Sequence, residues 1–170
     1  MNVRHGLLRR IGIATALGVL AACGSGGQVG SPDDVVSAKD VSGIEQVLVD
    51  SKGMTLYVAE QEASRKIACT DSCLALWEPL TVSEGTTLSS DDGLTSSLST
   101  VQRPDNGDTQ VTYRGYPLYT FTEDSGAGEL AGDNVTDEFG GTSFTWHAMT
   151  MEGPAPSSSP SDTGGGGYGY

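Results

Sequence analysis

The chain has 170 residues, 36% of them hydrophobic and 18% charged, with 22 Asp and Glu against nine Lys and Arg. That length suits one domain of ordinary size, and a net charge of −13 excludes nucleic-acid or anionic-lipid binding through a basic surface. With two histidines and three cysteines, metal, redox and nucleophilic chemistry have few residues to draw on.

Residues 1–22 read as a lipoprotein signal peptide. Arg4, Arg9 and Arg10 form a positive start, and the apolar run from Ile11 to Leu20 is too short to span a bilayer. It ends in Leu20-Ala21-Ala22-Cys23, small residues before a cysteine whose thiol would take up lipid. Acyl chains such as palmitate on Cys23 would anchor the chain at the extracytoplasmic face of a cell membrane, since more than one chain is needed for stable binding. Three of the nine basic residues and none of the 22 acids precede Cys23, which leaves six against 22, a net charge of −16, for the mature chain.

From Cys23 to residue 43 the sequence is Gly-, Ser- and Asp-rich and is expected to be a flexible tether. Residues 44–152 carry the β-forming patterns and are expected to form the folded domain. Residues 153–170, GPAPSSSPSDTGGGGYGY, cannot bury enough surface to fold and are expected to be disordered.

Within the domain, Val47-Leu48-Val49-Asp50, a turn at Ser51-Lys52-Gly53 and Met54 to Val58 predict a hairpin. A second hairpin is predicted from Thr109 to Tyr113, Arg114-Gly115, and Tyr116 to Phe121. The two superpose with a constant offset, Val49 on Val111, Gly53 on Gly115 and Tyr57 on Tyr119, an internal duplication. Tyr119 and Phe121 alternate with Thr120 and Thr122, one face aromatic and one hydroxylic. Between the copies, Thr70 to Trp77 offers an N-cap and is stopped by Pro79, so a short helical turn is expected there, with a further one near Leu94 to Leu98. Asn106-Gly107 predicts a tight turn, and Thr142 to Met151 reads as a closing strand. The fold class is mainly β, one domain built from a duplicated hairpin unit with a helical turn that carries two cysteines.

Cys69 and Cys73 sit four residues apart on that turn. In an exported protein they are expected to be bonded to each other. The redox pattern proper has two intervening residues, not three.

Tyr57, Cys69-x3-Cys73, Trp77-x-Pro79-Leu80 and Tyr113-x-Gly115-x-Pro117-Leu118-Tyr119-x-Phe121-x2-Asp124, followed by an aromatic-His strand, together resemble the bacterial "secreted repeat of unknown function" lipoproteins, marked by Y-x-[FWY]-x-x-D. The second copy fits at Tyr119, Phe121 and Asp124. The first keeps Tyr57 but has Ala59 at the aromatic position and Glu62 at the acidic one. The resemblance implies an envelope location and a repeat architecture, and no defined chemistry.

No catalytic residue is assigned. His147 is the one histidine of the mature chain, and no nucleophile context accompanies it. The acidic pairs are what so acidic a chain contains by chance. The sharpest alternative is a copper site: His147, Met149 and Met151 fall at i, i+2 and i+4, so on a strand they point the same way, and imidazole with thioethers suits Cu(I). The same pattern also fits methionines filling a core beside a hydrogen-bonded histidine. Asp105-Asn106-Gly107-Asp108 and Asp133-Asn134 lack the order of a calcium loop. The reading is therefore a lipid-anchored, non-catalytic envelope or surface module with no cofactor, the copper protein being its alternative. Its expected partners are membrane lipid through Cys23 and an envelope protein or glycan.

Overall fold

The computed structural model describes residues 34–90 and 93–156. The signal peptide, Cys23, the first part of the tether and the tail from residue 157 lie outside the described residues. Among the described residues no helix is long and apolar enough to cross a membrane.

The fold is mainly β. Strands β1 (Val36–Val41) and β2 (Ile44–Asp50) pair as an antiparallel hairpin. Strand β3 (Tyr57–Ala59) follows, then a 3-10 segment Glu60–Arg65, a 3-10 turn Asp71–Ala75, and strands β4 (Trp77–Pro79) and β5 (Thr81–Val82). After a 3-10 turn Thr95–Ser97 come β6 (Leu98–Gln102), β7 (Thr109–Tyr113), β8 (Tyr116–Pro117) and β9 (Tyr119–Phe121). The hairpin of β10 (Thr136–Phe139) and β11 (Thr142–Ala148) closes the domain. The central sheet has the order β10-β11-β3-β9-β4, and β5, β7 and β6 form another with β8 on β7.

Strand β1 lies in the segment expected to be tether. Val36 and Val41 are buried, so this strand belongs to the domain and the fold starts earlier than residue 44. Its signal was the Ser42-Gly43 pair between Val41 and Ile44. Both residues have positive φ, 47° and 91°, as a two-residue hairpin turn requires. The fold also runs past residue 152: Met149 bridges Pro154, and Ala155 is buried with its N–H on the Ala148 carbonyl.

The duplicated hairpins are both present, but their first strands superpose one residue away from the expected register. In the second copy Tyr113 pairs with Tyr116 across Arg114-Gly115, φ 50° and 88°, a two-residue turn of the kind that follows the strand twist. In the first copy Asp50 N–H reaches the Met54 carbonyl, so three residues make the loop. Asp50 steadies it by accepting from Lys52 N–H and Met54 N–H at 2.8 and 2.9 Å. Leu56 N–H donates to Leu48, and Leu118 N–H donates to Val111. Leu48, not Val49, is thus the counterpart of Val111, because the first turn is one residue longer.

The middle of the central sheet is covered on both faces, with Tyr57, Val58 and Ala59 of β3 all buried. On one side Tyr57, Ala59, Trp77, Tyr119, Phe121, Phe144, Trp146 and Ala148 form an aromatic core with Cys69 and Cys73. On the other, Leu48, Leu56, Val58, Val111, Leu118 and Met149 form an aliphatic core with Val36, Leu94 and Tyr113.

Candidate functional site

Two short strands of the copies meet at one residue pair. Tyr57 of β3 stands opposite Tyr119 of β9. Around that pair the copies exchange partners. Strand β4, which follows the first copy, pairs with β9 of the second, Trp77 opposite Phe121 and Pro79 opposite Tyr119. Strand β11, which follows the second copy, pairs with β3 of the first, Trp146 opposite Ala59 and Ala148 opposite Tyr57. The exchange continues outward: Leu80 N–H donates to Leu118 and Met149 N–H to Leu56, and their carbonyls accept from Val111 and Leu48.

The motif acids follow the same exchange. Tyr57 donates its hydroxyl to Asp124 Oδ2 at 2.8 Å, and Asp124 Oδ1 accepts from Ala131 N–H at 2.9 Å. In the first copy Glu62 Oε1 accepts from Ala68 N–H and Cys69 N–H at 2.5 and 2.6 Å, and the Glu62 carboxylate interacts with the Tyr119 hydroxyl. Each acid therefore closes its own loop, through the residue seven positions on, and faces the tyrosine of the other copy. Glu62 keeps this geometry in place of Asp, with Oε2 and the Tyr119 hydroxyl buried short of a well-formed hydrogen bond.

Burial dominates the electrostatics. It lifts Glu62 above the ordinary carboxylate range, against the pull of the Cys69 and Ala68 N–H groups. It lifts Asp124 in the same direction, opposed by Tyr57 and Ala131. Both tyrosines are driven far above their usual value, first by burial and then by the facing carboxylate. At neutral pH both tyrosines are uncharged, and Tyr57 serves Asp124 as a hydrogen-bond donor.

Arg103 completes the first copy's end, and sequence reading gave no sign of it. Its guanidinium is buried; it donates to Gln110 Oε1 at 2.7 Å, to the Cys69 carbonyl at 2.8 Å and to Asp105 at 3.0 Å. Burial acts against its charge, but Asp105 and Tyr119 outweigh that and raise its pKa further. Cys69 is thus held by Glu62 through its N–H and by Arg103 through its carbonyl. The Cys69–Cys73 disulfide is formed, with Cα atoms 5.4 Å apart, and both cysteines are buried.

Beside the tyrosines lies an aromatic stack. The Trp77 and Trp146 rings are parallel within 9° at 3.8 Å, Phe121 stacks on Trp77 at 4.3 Å, and Phe144 on Trp146 at 5.8 Å. Tyr57 meets Trp77 edge-on at 5.6 Å and Tyr119 meets Trp146 edge-on at 5.2 Å. Trp77 donates its indole N–H to Asp137 at 2.9 Å.

The His-Met-Met strand is placed in part as its alternation implies. His147 pairs with Val58 and its Nε2 lies 2.9 Å from Glu60 Oε1, while Nδ1 is buried without a hydrogen bond. Met149 is enclosed in the aliphatic core, with Met151 packed at its margin. Among the described residues no three His, Cys, Asp or Glu side chains gather as a metal-ligand group. The two acidic loops use their side chains internally: Asn106 accepts from Asp108 N–H, and Asp133 accepts from Ala148 N–H. On the surface, a hollow of about 390 Å³ is lined by Glu45, Gln46, Arg114, Thr150, Met151 and Glu152.

No curated protein and no solved structure matches the chain. Residues 99–149, which span β7, β9 and β11 and hold Tyr119, Phe121 and Asp124, match the family described as a secreted repeat of unknown function.

Proposed function

We propose that the chain is a lipid-anchored extracytoplasmic module without catalytic activity, held at the membrane through Cys23 and engaging an envelope protein or glycan. One observation carries the non-catalytic reading: the four polar residues of the motif face one another inside the domain. Tyr57 and Asp124 are bonded, Glu62 faces Tyr119, and all four are buried. Side chains spent on closing loops and joining copies build a frame, and these four are not open to substrate. The disulfide suits an oxidising compartment, and the Leu-Ala-Ala-Cys end of the apolar leader suits lipidation. The hollow beside Arg114 is where a small ligand or a partner's side chain would rest.

The test is fractionation of bacteria producing the full chain in the presence of a clickable palmitate. The native chain is expected in the membrane fraction and labelled; Cys23→Ala is expected to be unlabelled and soluble. Equal labelling of the two overturns the anchor. Turnover of any ester, glycoside or peptide substrate that disappears with Asp124→Asn would overturn the non-catalytic reading.

A second reading, copper handling, rests on His147 Nδ1, buried without a hydrogen bond on the strand face that also carries Met149. Titration of the full chain with Cu(I) against a competing chelator decides it. Stoichiometric binding lost in both His147→Ala and Met149→Leu would support it, and no binding beyond the chelator would end it.

A further inference from the structure

Both tryptophans of the chain lie in one stack, and each is touched edge-on by a tyrosine whose hydroxyl faces a carboxylate. We infer that Tyr57, Trp77, Trp146 and Tyr119 form a relay that carries an oxidising equivalent between the two repeat copies, with Asp124 as the proton acceptor of Tyr57.

Trp and Tyr are the aromatic side chains that lose an electron most readily. Ring contact allows the vacancy to pass between them, and the contacts here run without a gap: 5.6 Å from Tyr57 to Trp77, 3.8 Å to Trp146 and 5.2 Å to Tyr119. Proton positions decide where the vacancy rests. A phenol that loses an electron becomes strongly acidic and must release its proton at once. Tyr57 has an acceptor at 2.8 Å in Asp124, and Tyr119 faces Glu62. The Trp77 N–H has its own acceptor in Asp137 at 2.9 Å. All four rings are buried, which shields a radical from water and solutes. An ordinary apolar core would be built as well from Leu and Phe; here a carboxylate that also closes its own loop stands at hydrogen-bond distance from the hydroxyl of a stack-touching tyrosine.

A one-electron oxidant at the surface, an oxidising radical or a high-potential metal complex, takes one electron from the stack and is reduced. While the vacancy is on Trp77, Asp137 holds the shared indole proton and returns it when the ring is refilled. Tyr57 supplies the refilling electron and passes its hydroxyl proton to Asp124, leaving a neutral tyrosyl radical and a protonated carboxyl. An external reductant of the thiol or ascorbate class restores the electron, and Asp124 gives the proton back. At the other end Tyr119 touches Trp146 and faces Glu62, but neither its hydroxyl nor the Trp146 indole N–H has a formed hydrogen bond, so the vacancy comes to rest at the Tyr57–Asp124 end. Such a relay would draw oxidation away from the buried Met149, whose sulfoxide would place a polar group in the apolar core.

The experiment is flash photolysis of the full chain in detergent, with photogenerated tris(bipyridine)ruthenium(III) as the oxidant and optical detection of indole and phenol radicals. Because the chain has two tryptophans, both in the stack, every tryptophanyl signal reports on it. The expected result is a tryptophanyl radical that decays as a tyrosyl radical rises at the same rate. In Tyr57→Phe/Tyr119→Phe that coupled rise is lost and the tryptophanyl radical outlives its native counterpart. Asp124→Asn, which keeps the ring and removes the proton acceptor, is expected to slow the transfer, and it carries the test if the double variant does not fold. A folded protein that gives no tryptophanyl radical, or a decay unchanged in the variants, overturns the relay.

Discussion

Tyr57 of the first repeat copy donates its hydroxyl to Asp124 of the second, 67 residues away, at 2.8 Å. The motif is thus completed across the duplication, and this bond should behave as a coupling between copies. Tyr57→Phe leaves Asp124 Oδ2 without its donor and is expected to lower stability by about 1–3 kcal/mol. In an Asp124→Asn background the same substitution should cost less, because a neutral acceptor tolerates the loss better. Denaturant midpoints for the four proteins of this double-mutant cycle measure the coupling. Additive costs would mean that the two side chains stabilise their own copies independently.

The Glu62 carboxyl makes a prediction about pH. Burial raises it above its ordinary value of 4.5, so the folded state binds the proton more tightly than the unfolded chain. Stability from this group is fully present below the ordinary value and falls as pH rises through the folded one. Asp124 is shifted the same way and adds to the slope. Glu62→Gln keeps an acceptor for Ala68 and Cys69 and has no proton to lose. Its stability should therefore fall less between pH 4.5 and about pH 7 than that of the native chain. Urea midpoints across that window check it, and parallel curves would show that Glu62 titrates alike in both states.

Much of this arrangement was legible in the sequence, and the reasons for the rest are physical. The paired Gly53 and Gly115 turns, the Tyr57–Tyr119 correspondence and the closing strand at Thr142 follow from alternation and turn chemistry. Strand β1 was hidden because Lys39 and Asp40 interrupt its alternation at a bulge, though Ser42-Gly43 marked its turn. Hairpin β10–β11 had a comparable mark in Gly140-Gly141. The exchange of acids between copies had no sequence signal at all. Both motif acids lie five residues after their tyrosines, which says nothing about which tyrosine each one faces. Arg103 was likewise invisible: an arginine after a strand is ordinarily solvated, and here nearby Asp105 and Gln110 and the distant Cys69 carbonyl accept from it, with Glu62 beside it.

The disulfide should matter more for local order than for global stability. Its loop is short, so the chain-entropy contribution is about 2 kcal/mol. Cys69 is also held by Glu62 and Arg103, which position the backbone whether or not the sulfurs are joined. Cys69→Ala/Cys73→Ala is expected to fold, to lose about that amount in a chemical denaturation curve, and to exchange the amide of residue 73 faster than that of residue 69. Failure to fold would show that the two polar anchors depend on the covalent link.

Gly132 gives the most local test of the aromatic site. A Cβ at this position would lie 2.9 Å from Trp77 Cη2 and 3.0 Å from Tyr57 Cζ, closer than side-chain carbons approach without a shift. Neither ring can retreat freely: Trp77 is clamped between Phe121 and Trp146, and Tyr57 is tied to Asp124. Gly132→Ala is therefore expected to cost about 1–3 kcal/mol through overpacking. The strain should appear where the rings are, as an altered near-ultraviolet circular dichroism of the tryptophan pair. The pairing of Thr136–Phe139 with its neighbour should survive in hydrogen exchange. A variant as stable as the native chain, with the same aromatic spectrum, would mean that the 131–134 turn moves outward at little cost and that the packing of Trp77 against Tyr57 does not depend on it.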